Sequence, residues 1–140
     1  MIVHCNFEEL TALKAGARQV LDGYAPEHGM IAAPPEEREQ VAALVPQLGG
    51  DFSVTTLAQQ RSLLHAVSII VGILRIEMES MVTANHPAHE AAVSAYFDFA
   101  HALSIQARLY EVGLEMEALV ELVTGEPVTE EFARDFGFPD

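Results

Sequence analysis

Asp98 and His101, three residues apart, form the strongest chemical pattern in this chain. On a helix both side chains leave one face, the spacing by which helical bundles present a carboxylate and an imidazole to iron or manganese. Glu79 falls at about the same level of a neighbouring helix, so Glu79, Asp98 and His101 are the candidate metal ligands. Two features argue the other way. Arg75 is expected opposite Asp98, where a guanidinium satisfies the carboxylate instead. The second carboxylate-and-histidine pair usual in such centres is missing. The competing expectation is a His101 that hydrogen-bonds Asp98 or Ser104, and no metal or other cofactor.

These residues belong to longer polar strips. Arg61, His65, Ser68, Gly72, Arg75 and Glu79 follow one another at steps of 4, 3, 4, 3 and 4, which is one face of a helix. Ser94, Asp98, His101, Ser104, Arg108 and Glu111 make a second strip. An antiparallel hairpin sets Arg75 level with Asp98, Gly72 with His101, Ser68 with Ser104, and Arg61 with Glu111. In one reading the strips are solvated edges joined by weak surface ion pairs. In the other they line a polar seam, where Arg61, His65, Arg75, Glu79, Asp98, His101 and Arg108 would hold a small ligand.

No catalytic set emerges. Cys5 has no neighbouring cation to make it a thiolate. There is no G-x-S-x-G motif, Gly49-Gly50 lacks the spacing of a phosphate loop, and Lys14 is the only lysine. His86 and His89 stand at a helix start beside Glu90, and two ligands do not make a zinc site. The chain is not expected to be an enzyme.

The elements that would position these residues are helices. Two long ones, about 56–84 and 87–124, are joined by the corner Asn85-His86, with Pro87 opening the second. Thr56 and Gln59 form a capping box at the start of the first. Ahead of them, Asn6 and Glu9 form another box, and a helix over Phe7–Asp22 buries Leu10, Leu13, Ala17, Val20 and Leu21. Cys5 and Leu10 occupy hydrophobic-staple positions. After a loop, Pro35 opens a second short helix that turns Val41, Leu44, Val45 and Leu48 inward and ends near Pro46. Residues 52–54 could pair with 2–4 as a small ladder. Glu130 to Phe136 reads as a closing helix with Phe132 and Phe136, and Phe138 follows. The fold expected is all-α, a single helical bundle over residues 1–140.

The first long helix is apolar around nearly its whole circumference between Leu63 and Ile76, so it must be covered on all sides. That is more than one partner helix supplies, and it predicts a homodimer through the long helices. The net charge of −14 disfavours nucleic acid and anionic membranes. No apolar run reaches the roughly 20 residues of a membrane span. The first twenty residues lack a basic start before an apolar run, and a single cysteine allows no internal disulfide; both point to the cytoplasm. The function expected is a homodimeric protein-interaction module, with further protein partners. The alternatives are a metal- or ligand-binding bundle around Arg75, Asp98 and His101, and an acidic inhibitor or nucleic-acid mimic.

Overall fold

The computed structural model describes residues 1–22, 33–83 and 89–127. The element order is β1 (Ile2–Val3), α1 (Phe7–Asp22), α2 (Pro35–Leu44), a 3-10 turn over Val45–Gln47, β2 (Phe52–Ser53), α3 (Leu57–Thr83) and α4 (His89–Thr124). The all-α bundle is present, and α3 packs along α4. No helix among the described residues is long and apolar enough to cross a membrane. The corner at residues 85–86, the side chains of His89 and Glu90, and the expected closing helix with its three phenylalanines lie outside the described residues.

Local chemistry sets the helix ends. The Asn6 side chain accepts from the Glu9 N–H at 2.7 Å, and the Glu9 carboxylate accepts from the Asn6 N–H at 2.9 Å. Two donors that a helix start leaves orphaned are thereby satisfied. Thr56 and Gln59 repeat the pattern at α3, where Gln59 also accepts from the Thr55 N–H at 2.8 Å. α4 stops at Gly125, whose φ of 71° is the left-handed conformation that glycine takes without strain. Its N–H returns to the Glu121 carbonyl at 2.8 Å. The small ladder forms antiparallel, Ile2 opposite Ser53 and Val3 opposite Phe52. The Met1 ammonium extends it by donating to the Val54 carbonyl at 2.7 Å.

α3 is the centre of the bundle. On one side Leu63, Val67, Ile70 and Val71 join Leu10 and Leu13 of α1 and Ile105, Leu109, Val112 and Met116 of α4. On the other, Ala66, Ile69 and Ile73 meet Ala17 and Val20 of α1 and Val41 of α2. Gly16 lets α1 sit this close, because a Cβ there would stand 2.1 Å from the Ala66 carbonyl oxygen. All seven of these α3 side chains are buried by the chain itself. Two short helices and α4 thus cover most of the apolar circumference of α3, while Leu64 and Leu74 stay half-buried and Ile76 is exposed.

Candidate functional site

The most organised polar cluster joins the start of α1 to the middle of α4. The Glu9 carboxylate, 4% exposed, takes the Arg108 guanidinium at 2.9 Å and the Ser104 hydroxyl at 2.6 Å. Arg108 also donates to the His4 carbonyl at 2.7 Å. Burial alone would raise the Glu9 pKa. The hydrogen bonds from Arg108, the Asn6 N–H and Ser104 outweigh it and lower the value from 4.5 to about 2. Arg108 in turn is shifted upward, chiefly by its bond to Glu9.

Beside this cluster, His4 Nδ1 lies 2.7 Å from Asp51, which also accepts from the Cys5 N–H at 3.1 Å. These bonds lower the Asp51 pKa. The Cys5 thiol donates to the Gly50 carbonyl at 3.4 Å. Its pKa is raised by burial and by the carboxylates of Asp51 and Glu9. A thiol held protonated is a poor nucleophile, so a histidine, cysteine and aspartate in one place do not amount to an activated cysteine here. The whole cluster pins the N-terminal strand and α1 onto α4.

The two polar strips do not face each other. Arg75 lies over the Phe99 ring at 5.9 Å, Gln106 donates to the Ser68 hydroxyl at 3.0 Å, and Arg61 reaches Glu117 at 3.3 Å. The row of α4 turned to α3 is thus Phe99, Gln106 and Glu117. Ser104 and Arg108 point to α1 instead. Ser104 and Gln106 leave an α-helix about 160° apart, which is why a strip drawn through Ser104 misses α3.

Of the seven ligand candidates, Arg61 and His65 line an open groove of about 900 Å³ between α2 and α3, together with Glu36, Glu37, Glu39 and Gln40. Both are engaged, Arg61 with Glu117 and His65 with Glu37. Arg75, Glu79 and Asp98 are exposed, and His101 is half-buried. Arg108 belongs to the Glu9 cluster. Among the described residues no three His, Cys, Asp or Glu side chains come close enough to share a metal ion, so Glu79, Asp98 and His101 are not gathered into one centre.

Two structural residues had no signal in polar spacing. Gln60, buried in α3, donates to the Leu109 carbonyl at 2.9 Å. Its side chain lies over Gly113, where a Cβ would stand 2.4 Å from Nε2. A glycine inside an otherwise regular helix was the hint, since it costs helix stability unless something packs against it.

Among the described residues, α4 also leaves apolar side chains exposed. On α4, Val93 (54% exposed), Tyr96 (56%), Phe97 (58%), Tyr110 (57%) and Leu114 (49%) all stand in solvent. No protein-family model matches the chain, and no match to it was found among curated proteins or solved structures.

Proposed function

We propose that the protein acts by association: a homodimer formed through its long helices, which presents an acidic surface to further protein partners in the cytoplasm. The observation that carries this reading is the bare outer side of α4. The Tyr96 and Tyr110 rings, both more than half exposed on that side, leave roughly 200 Å² of ring surface in water, and Val93 and Leu114 extend it. Continuous apolar patches of several hundred Å² on a soluble chain mark interaction surfaces. Of the two long helices from which the sequence suggested a contact, α4 has the more exposed apolar side chains. The net charge of −14 supports solubility of the assembly and favours basic partners over nucleic acid.

Light scattering at micromolar concentration tests this. The expected result is twice the chain mass. Tyr96→Lys is expected to halve it without loss of helical circular dichroism, because Tyr96 is exposed on that side and the change places a charge in the contact. A wild-type chain that stays monomeric at tens of micromolar would sink the proposal.

A further inference from the structure

α4 carries two apolar seams. The inner one, Ala102, Ile105, Leu109, Val112, Met116 and Val120, is buried in the bundle. The outer one runs Tyr96, Ala100, Leu103, Ala107, Tyr110, at steps of 4, 3, 4 and 3, with Val93 before it and Leu114 after it. At 100° per residue the two seams lie on opposite sides of the helix. The outer spacing is that of a coiled-coil seam, which needs a second helix. Its residue types also read the same in both directions: tyrosine, alanine, leucine, alanine, tyrosine. Among the described residues, α1 and α3 occupy the other sides of α4; on this one Val93, Tyr96, Ala107, Tyr110 and Leu114 are exposed, while Ala100 and Leu103 are half-buried, Leu103 against the edge of the core.

We infer that two copies pair antiparallel along this outer seam of α4, crossing near Leu103. The inference rests on the dimer reading above and specifies the surface, the partner and its direction. An antiparallel pair centred on Leu103 sets tyrosine at the level of tyrosine at each end and alanine at the level of alanine beside the crossing. The small residues allow close approach where the helices cross, and the large ones fill the space where they diverge.

Charge selects this direction over the parallel one. From Val93 to Tyr110 the seam is uncharged; Glu111 and Glu121 then follow on the same side, both exposed. A parallel pair would set these acids beside their own copies, about 10 Å apart at helix-packing distance. An antiparallel pair crossing at Leu103 separates the two Glu111 residues by about 24 Å along the helix axis. That is about three Debye lengths at physiological salt, so the repulsion is screened away. Each acidic end then lies beside the start of its partner's α4, the positive end of that helix dipole.

The paired stretch from Val93 to Leu114 is about 32 Å long. Covering the exposed side chains on it removes roughly 500 Å² per copy, or about 1,000 Å² in total. That reaches the lower bound for a specific interface and fits a dimer that exchanges subunits.

Val93→Cys and Leu114→Cys, made separately in a Cys5→Ser chain and then mixed and oxidised, test the direction. The expected result is a disulfide-linked dimer in the mixture and none from either variant alone. Cross-linking of each variant with itself would show a parallel pair and overturn the inference, leaving the dimer intact. A dimer by light scattering that cross-links in neither arrangement would place the contact on another face, with the same consequence. A monomeric wild type, its seam taken by another segment of its own chain, overturns both this inference and the function proposed above.

Discussion

α3 and α4 both carry apolar residues on more than one side, yet α3 is far better enclosed. From Leu63 to Ile73 nearly every apolar side chain of α3 is buried. α4 buries one seam and leaves rings and aliphatic side chains of the opposite seam in water. The difference comes from where the short helices settle. Both α1 and α2 pack on α3, while α1 alone of the two packs on α4, through Leu10, Leu13 and Glu9. An all-round apolar helix states a need for cover without naming what supplies it. Here the chain meets that need for one arm of the hairpin and not for the other.

The sharpest way to break the contrast is to unseat α1. Gly16→Val puts a branched side chain where even a Cβ would be 2.1 Å from the Ala66 oxygen. Neither backbone can yield without separating α1 from α3, and α3 would then become as bare as α4. The expected loss is about 4 kcal/mol, a large part of a small domain's stability. Urea unfolding would show it as a collapse of the midpoint. A midpoint within experimental error of wild type would mean that α1 does not enclose α3 in this way.

The two seams of α4 invite a paired test. Leu109→Ala on the inner seam should cost about 3 kcal/mol, since Leu109 is fully buried and leaves a cavity. Leu114→Ala on the outer seam, measured at concentrations that favour the monomer, should cost less than about 0.5 kcal/mol. The concentration dependence of the melting temperature should respond in the opposite order, weakened by Leu114→Ala and little changed in slope by Leu109→Ala. Equal losses in dilute solution would mean that Leu114 is part of the monomer's own core.

Much of this fold was legible because capping chemistry is local. Asn6 with Glu9, Thr56 with Gln59, and Gly125 mark helix ends within three residues of themselves, and the helix ends fall there. The ladder of residues 2–3 with 52–53 could be foreseen only loosely, since an isolated pair this short depends on the core beneath Val3 and Phe52. What stayed hidden was rotational. The second polar strip set Ser104 level with Ser68 across the hairpin or left it in solvent, while Ser104 and Arg108 turn to a carboxylate almost one hundred positions away in sequence. Glu9 is the instructive case. It was read as a capping residue, and it is one through one oxygen; the other oxygen anchors α1 to α4. Nothing local in the sequence announces the second role. The outer seam of α4 was equally hidden, because only the placement of α1 and α3 shows which apolar side of that helix is left over.

Glu9 also makes the covered side of α4 sensitive to acid. Its folded pKa of about 2 lies below the ordinary 4.5, so the stability it contributes is complete above about pH 4.5. That contribution is lost as pH falls from 4.5 towards 2. The shift corresponds to about 3 kcal/mol at most, and the partial exposure of Arg108 reduces this to about 2 kcal/mol. Urea midpoints measured at pH 7 and pH 3 should differ by less in Glu9→Gln than in wild type. An identical acid loss in the two proteins would show that the carboxylate does not tie α1 to α4 electrostatically.

The smallest effect concerns the edge between the two long helices. Arg61 and Glu117 are 3.3 Å apart, each with its side chain 39% exposed. A pair this open competes with water and salt, and its two long side chains lose freedom to meet. A double-mutant cycle with Arg61→Ala and Glu117→Ala should give a coupling below about 1 kcal/mol, shrinking further as salt is added. The value bears on the whole contrast between α3 and α4. If their contact rests on the apolar rows, the polar edge can be erased at little cost, and it leaves α4's outer seam untouched. A coupling above about 2 kcal/mol would mean that the edge helps to fix the rotation of α4. The charges at Arg61 and Glu117, and not only the fit of the inner seam, would then decide which side of that helix is left for a partner.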